Sequence, residues 1–182
     1  MSYVIEIEDL KRSRFTQSLI LINIICFIIA NMIIGPYSLI YVGQYNIAIS
    51  EGNEYWRLFT AMFFHVNLEH IFMNMLALLV IGSSSEKNLP SIFHYIIIYI
   101  GSGVVGNMFT LWIEGPYNFS LGASGAIAGL QGALLMIIGF RDKNMQLLTI
   151  IFIFLFLIQS FSPGIGTWAH IFGLLSGIAA EK

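Results

Sequence analysis

Long apolar stretches with almost no charge limit what this chain can fold into more than any other feature. Of its 182 residues, 57% are hydrophobic and only 10% are charged, whereas a soluble domain carries about 25% charged residues. A soluble core of this length could not bury so much apolar surface. Lipid must therefore be the solvent for most of the chain, which is predicted to be an all-α membrane protein.

Six stretches approach or reach the length needed to cross a bilayer, whose core of about 30 Å requires roughly 17–25 helical residues. They are Gln17–Tyr37, Leu68–Ser85, Ser91–Trp112, Ala123–Phe140, Met145–Ser160 and Gly166–Ala180. The last three are short, which suggests that at least one begins below the membrane surface, beside protein or a water-filled cavity. The sequence thus predicts a six-transmembrane-helix bundle over residues 17–182, preceded by a cytoplasmic tail over residues 1–16.

Positive charge predicts the orientation of this bundle. With the N-terminus inside, seven basic residues fall on the cytoplasmic side: Lys11, Arg12, Arg14, Lys87, Arg141, Lys143 and Lys182. Only Arg57 would lie outside, in a long first outer loop, Val42–Asn67, whose aromatic residues make it amphipathic and suited to the headgroup region. The positive-inside rule therefore predicts a multi-pass protein of the cell membrane with both termini in the cytoplasm.

The first candidate for chemistry is Ser124, which stands among small residues at the start of the fourth span. A serine in this position can expose its hydroxyl, and free N–H groups at a helix N-terminus can stabilise an oxyanion. The same small residues, Gly125 and Gly129 among them, also suit close packing between helices. The pattern fits a nucleophile, a packing face or both.

His170 is the second candidate and lies in the sixth span. Gly173 and Gly177 follow it on the same face of the helix, so a neighbouring backbone can come close there, as a Ser–His pair requires. A histidine that only bonds to a neighbouring helix fits this pattern equally well.

Polar residues also mark the start of the second span. His70 and Asn74 lie about 40° from one another around the helix, so both could donate to one point, as an oxyanion hole demands. His65 is expected at the loop entry, where it holds the chain in place. Zinc is the competing interpretation, but no His-Glu-x-x-His motif is present. Cys26 is the only cysteine, and neither a metal nor another cofactor is predicted.

Together these motifs resemble the rhomboid family of intramembrane serine proteases. The family pattern has Gly-x-Ser-Gly on one span, Ala-His-x-x-Gly-x-x-x-Gly on a later span and His-x-x-x-x-His-x-x-x-Asn on an earlier one, in the order found here. Trp56-Arg57 in the first outer loop and Gly82-x-x-x-Glu86 at the end of the second span match as well. The likeness extends over Tyr55–Gly177.

The resemblance implies a role for each matched position. Ser124 would be the nucleophile and His170 its general base, whereas His70, Asn74 and the backbone N–H of Ser124 would bind the oxyanion. Structural roles fall on His65, Trp56, Arg57, Glu86, Gly122, Gly125, Gly173 and Gly177. Because no carboxylate lies within a span near His170, a Ser–His dyad is expected rather than a triad.

One position departs from the family pattern. Four residues after the serine, the family usually has an aromatic residue that supports the catalytic imidazole, but this chain has Ala128. We expect another ring, such as Trp168 or Phe172, to replace it in part, or the dyad to be less rigid.

The implied function is that of an intramembrane serine endopeptidase, with its active site toward the extracytoplasmic side. Its partners would be single-span membrane protein substrates and the lipid bilayer, and a net charge of −2 gives no indication of nucleic acid. One alternative is a non-proteolytic relative that binds transmembrane helices, although the presence of both Ser124 and His170 argues against it. Another is a small transporter or metal-dependent hydrolase, although a transporter would more often show an internal repeat.

Overall fold

The computed structural model describes residues 6–141, 146–161 and 166–181, most of which are helical. Six apolar helices form a bundle: α1 Arg14–Ile33, α2 Leu68–Asn88, α3 Ile92–Ile113, α4 Ser124–Arg141, α5 Gln146–Ser160 and α6 Thr167–Ala180. The first three are long and apolar enough to cross a membrane, whereas the apolar parts of the last three are shorter. The last three helices are therefore shorter than the first three, as expected from the sequence.

Each predicted span coincides with one of these helices, although the ends differ. Helix α1 ends before the predicted limit at Tyr37, because Gly35 adopts a φ of 105° and Pro36 starts a separate 3-10 turn. The predicted start of the fifth span at Met145 lies outside the described residues, as do Lys143, Lys182 and the first part of the tail, residues 1–5. The number of membrane crossings stays a prediction.

Helix α4 lies at the centre of the bundle, with α3 and α6 packed against it. A Cβ atom at Gly173 would overlap the carbonyl oxygen of Gly125, and one at Gly177 would overlap the carbonyl oxygen of Gly129. The backbones of α4 and α6 are therefore in direct contact. The small residues of both helices form a packing face, which was one of the interpretations that the sequence left open.

The connection between α1 and α2 contains several short helices: Leu39–Val42, Asn46–Ser50 and Arg57–Thr60. Strand β1 (Gln44–Tyr45) lies between the first two and pairs antiparallel with β2 (Phe119–Ser120), with Gln44 opposite Ser120. This small ladder fixes the outer connection to the segment that leads into α4. It thus helps to set the position at which α4 begins.

Candidate active site

A cavity of about 710 Å³ lies at the end of the bundle where α2, α4 and α6 begin. It is lined by the four side chains predicted for catalysis and oxyanion binding, together with Gly122: His70, Asn74, Gly122, Ser124 and His170. Further polar residues in the lining include Asn107, Thr110 and Gln159. Groups from three motifs that are far apart in the sequence therefore share one space.

Ser124 is the first residue of α4. Gly122 precedes it with a φ of 128°, a conformation that L side chains rarely adopt. The backbone N–H of Gly122 donates to the carbonyl oxygen of Ala61 over 2.9 Å, which holds the turn into the helix. The N–H groups of Ser124, Gly125 and Ala126 have no intrahelical carbonyl to bond, so they are available to an anion beside the Ser124 hydroxyl.

His170 lies in the first turn of α6, where its backbone N–H donates to the carbonyl oxygen of Gly166 over 3.1 Å. The close contact of α4 with α6 brings it toward Ser124: a Cβ atom on Gly125 would lie 3.2 Å from the carbonyl oxygen of Ala169. The Ser124 hydroxyl and the His170 imidazole both line the cavity but are not hydrogen-bonded to each other. Such bonds are often long in unliganded sites and tighten when substrate binds.

His70 and Asn74 approach the cavity from the first turns of α2. The side chain of Asn67 caps this helix by accepting the backbone N–H of His70 over 2.8 Å. The amide nitrogen of Asn74 donates to the carbonyl oxygen of His70 over 2.9 Å. A Cβ atom on Gly122 would lie 2.8 Å from the His70 ring. The ring is therefore close to the turn that leads into Ser124.

His65 is fully buried beside the cavity but does not line it. Its ring packs edge-on against that of His70, with 5.0 Å between the ring centroids. Burial lowers the pKa of His65 to about 3, so the ring is neutral near pH 7. Within residues 6–141, 146–161 and 166–181, no group of three or more His, Cys, Asp or Glu side chains is arranged to hold a metal ion.

Arg57 and Trp56 lie outside the cavity lining. The buried guanidinium of Arg57 donates to the carbonyl oxygens of Ile40 (2.6 Å) and Gly43 (2.8 Å) and pairs with Glu54. A buried charge requires such partners, and these join distant parts of the outer connection. Trp56 is 55% exposed, so it contributes little to the core of this segment.

Glu86 is at the opposite end of α2, remote from the cavity, and caps the N-terminus of α1. Its carboxylate accepts the backbone N–H groups of Phe15 (3.1 Å) and Thr16 (2.8 Å) and the Thr16 hydroxyl (2.8 Å). These N–H groups have no partner within α1, and the helix dipole favours an anion there. The neighbouring Lys87 pairs with Asp9 over 2.7 Å. The start of α1 and the end of α2 are thus joined.

The ring against His170 comes from α5 and not from either residue suggested by the sequence. Phe156 faces the imidazole with 5.7 Å between ring centroids and 24° between the ring planes. Phe172 instead stacks on Phe109, at 3.5 Å and 4°, and Trp168 packs against Phe172. Sequence reasoning missed Phe156 because it lies in a uniformly apolar run, with no polar neighbour to distinguish it.

Comparison with known proteins identifies the family of this chain. The family model described as "Rhomboid domain" matches residues 52–181, a range that contains all of the motifs discussed above. The "Putative rhomboid protease YdcA" of Bacillus subtilis (strain 168) is 30% identical over 141 residues, which cover 75% of this chain and 70% of YdcA.

Two longer relatives match over a smaller share of their length. The "Rhomboid protease GluP" of Bacillus subtilis (strain 168) is 34% identical over 141 residues, which cover 74% of this chain and 27% of GluP. The "Inactive RHOMBOID-like protein 8" of Arabidopsis thaliana is 33% identical over 137 residues, which cover 71% of this chain and 38% of that protein. With its apolar helices and a match over more than half its length, this chain is a multi-pass membrane protein that belongs to the rhomboid family.

Proposed function

We propose that this protein is an intramembrane serine endopeptidase that cleaves transmembrane segments of single-span membrane proteins with a Ser124–His170 dyad. The observation that carries the proposal is the cavity shared by Ser124, His170, His70 and Asn74. The cavity brings together a hydroxyl, an imidazole and N–H donors, which are the kinds of group that acyl transfer requires. Membership of a family that contains proteases gives this interpretation further weight.

The reaction would begin with attack of the Ser124 hydroxyl oxygen on a peptide carbonyl carbon. His170 would accept the hydroxyl proton and then return it to the leaving amine, so that an acyl-enzyme remains. The backbone N–H of Ser124 and the side chains of His70 and Asn74 would donate to the oxyanion of the tetrahedral intermediate. Water, activated in turn by His170, would hydrolyse the ester and release the new carboxylate.

A dyad is favoured over a triad because no described carboxylate accepts a hydrogen bond from His170. Glu69 and Glu114 line the same cavity, but both side chains are exposed to solvent. In a Ser-His-Asp triad the acid is buried and bonds the imidazole directly. The orientation of the His170 ring would therefore depend on other contacts.

The arrangement of charge supports a cavity that faces the extracytoplasmic side. Arg14 and Lys87 lie together at the end of the bundle away from the cavity, and the positive-inside rule assigns such residues to the cytoplasm. Substrate helices have hydrogen-bonded carbonyls, so a segment must unwind locally before Ser124 can attack. Segments with glycine, which weakens a helix by about 1 kcal/mol per residue, would unwind most easily.

The test is cleavage of a single-span membrane protein by the purified protein in detergent, with Ser124→Ala and Ser120→Ala measured beside it. Ser120 lines the same cavity and provides a matched control. We expect the native protein and Ser120→Ala to cleave and Ser124→Ala to be inactive. Equal cleavage by Ser124→Ala would exclude Ser124 as the nucleophile.

A non-proteolytic, helix-binding function is the second candidate, because one relative carries the name "Inactive RHOMBOID-like protein 8". In that case the native protein and both serine variants would fail to cleave yet would still bind a transmembrane helix. Crosslinking of the same single-span protein to the cavity would then detect the complex. Retention of both Ser124 and His170 favours the protease.

A further inference from the structure

We infer that Phe156 is a positioning residue for His170. This ring from α5 replaces the aromatic residue that the family usually has at the position of Ala128. The inference rests on the proposed function, because it concerns the orientation of the proposed general base. It also makes α5 part of the catalytic arrangement, although α5 contributes neither the nucleophile nor the base.

The contact between the two rings has the geometry of an offset stack. The planes of Phe156 and His170 are inclined by 24°, and the centroids are 5.7 Å apart, within the range in which aromatic pairs attract one another. A stack of this kind limits rotation of the imidazole about its terminal torsion, which is otherwise soft. Phe156 can therefore define which way the His170 nitrogens point.

Among the described residues, no hydrogen bond fixes the His170 ring. Its nitrogens are not hydrogen-bonded to the Ser124 hydroxyl or to a carboxylate within residues 6–141, 146–161 and 166–181. Ala128 is buried on α4, one turn beyond Ser124, and offers only a methyl group. Phe156 is thus the described aromatic ring that packs against the imidazole.

The nearby aromatic residues of α6 are already engaged elsewhere. Phe172 lies face to face with Phe109 of α3, and Phe109 packs edge-on against Trp112. Trp168 contacts Phe172 at 6.2 Å between centroids. These rings form a separate cluster between α3 and α6, so they cannot substitute for Phe156 without breaking their own stack.

The ring face also suits the charge that develops during catalysis. When His170 accepts the serine proton it becomes a cation, and a cation over the face of an aromatic ring is attracted by the ring quadrupole. This attraction exists in the transition state but not with neutral His170. Loss of the ring should therefore lower kcat and leave KM almost unchanged.

The experiment compares Phe156→Leu, Phe156→Tyr and Phe154→Leu in the full-length protein. Phe154 is on the same helix, is 61% exposed and is not stacked on His170, so it controls for loss of a phenyl ring from α5. The first readout is the rate at which a fluorophosphonate labels Ser124, a reaction that needs the base but no substrate helix. The second is the position of the His170 ring-proton resonances by NMR, identified by their absence in His170→Ala.

We expect Phe156→Leu to label roughly 3- to 30-fold more slowly than the native protein, whereas Phe156→Tyr and Phe154→Leu should label at the native rate. The His170 ring protons should be shifted upfield by the Phe156 ring current in the native protein and in Phe156→Tyr. They should move downfield in Phe156→Leu only.

Two outcomes would overturn the inference, and a third would concern the proposed function. Native labelling by Phe156→Leu, or His170 resonances that do not move in that variant, would show that the ring does not position the imidazole. If the native protein were not labelled but showed the predicted NMR shifts, the proposed Ser–His chemistry would be refuted. The stacking of Phe156 on His170 would still be supported.

Discussion

At the scale of one residue, the side-chain amide of Asn74 can serve both helix α2 and the proposed oxyanion site. Its nitrogen carries two N–H groups, and one donates to the carbonyl oxygen of His70 over 2.9 Å. The side chain is buried and lines the cavity, so the second N–H is available to an oxyanion. Asn88 makes the same bond to the carbonyl oxygen of Ser84 over 2.8 Å at the far end of α2, and it does not line this cavity.

A comparison of alanine variants of Asn74 and Asn88 distinguishes a loss of catalysis from a loss of helix stability. Asn74→Ala should lower kcat by about 10²- to 10³-fold, as expected when one oxyanion donor is removed, whereas Asn88→Ala should leave kcat near the native value. The measurement is steady-state cleavage of one single-span substrate by the three proteins. Equal losses in both variants would mean that Asn74 acts only by stabilising α2.

At the scale of elements, the site depends on how closely α4 and α6 approach. Gly173 packs against the backbone of Gly125, and the contact holds the starts of the two helices side by side. Gly101 in α3 has the same helical setting, but a Cβ atom there would find nothing within 4 Å. At Gly173 the packing requires a glycine, whereas at Gly101 a larger residue would fit.

Gly173→Ala should lower the apparent Tm in detergent, because overpacking of this kind typically costs about 1–3 kcal/mol. Gly101→Ala should preserve or raise the Tm, since alanine favours a helix over glycine by about 1 kcal/mol. Thermal unfolding of both variants beside the native protein gives the comparison. A Tm for Gly173→Ala at or above that of Gly101→Ala would contradict the proposed close contact.

The apolar helices could be predicted from the sequence because lipid selects for long uncharged stretches, and hydropathy reports these directly. The short helices of the outer connection could not, because their ends depend on tertiary bonds such as those from Arg57 to Ile40 and Gly43. The serine and histidine motifs were recognisable from their spacing. Phe156 was not, because a ring in an apolar run acquires a role only when the orientation of α5 is known.

At the scale of the whole molecule, the cavity and the cluster of charged residues around Glu86 lie at opposite ends of the bundle. The cavity with Ser124 and His170 occupies one end, and Glu86 and Lys87 join the tail at the other. Between them the outward faces of the helices are apolar, with large side chains exposed: Leu21, Ile25, Met32, Ile150 and Leu155. Such a surface is suited to lipid.

The most direct test of the central claim is to identify the residue that reacts with a fluorophosphonate, by peptide mass spectrometry of the purified protein. The account predicts one covalent adduct, on Ser124, which is absent in Ser124→Ala and forms far more slowly in His170→Ala. An adduct on any other residue, or cleavage activity that persists while Ser124 stays unmodified, would contradict the account.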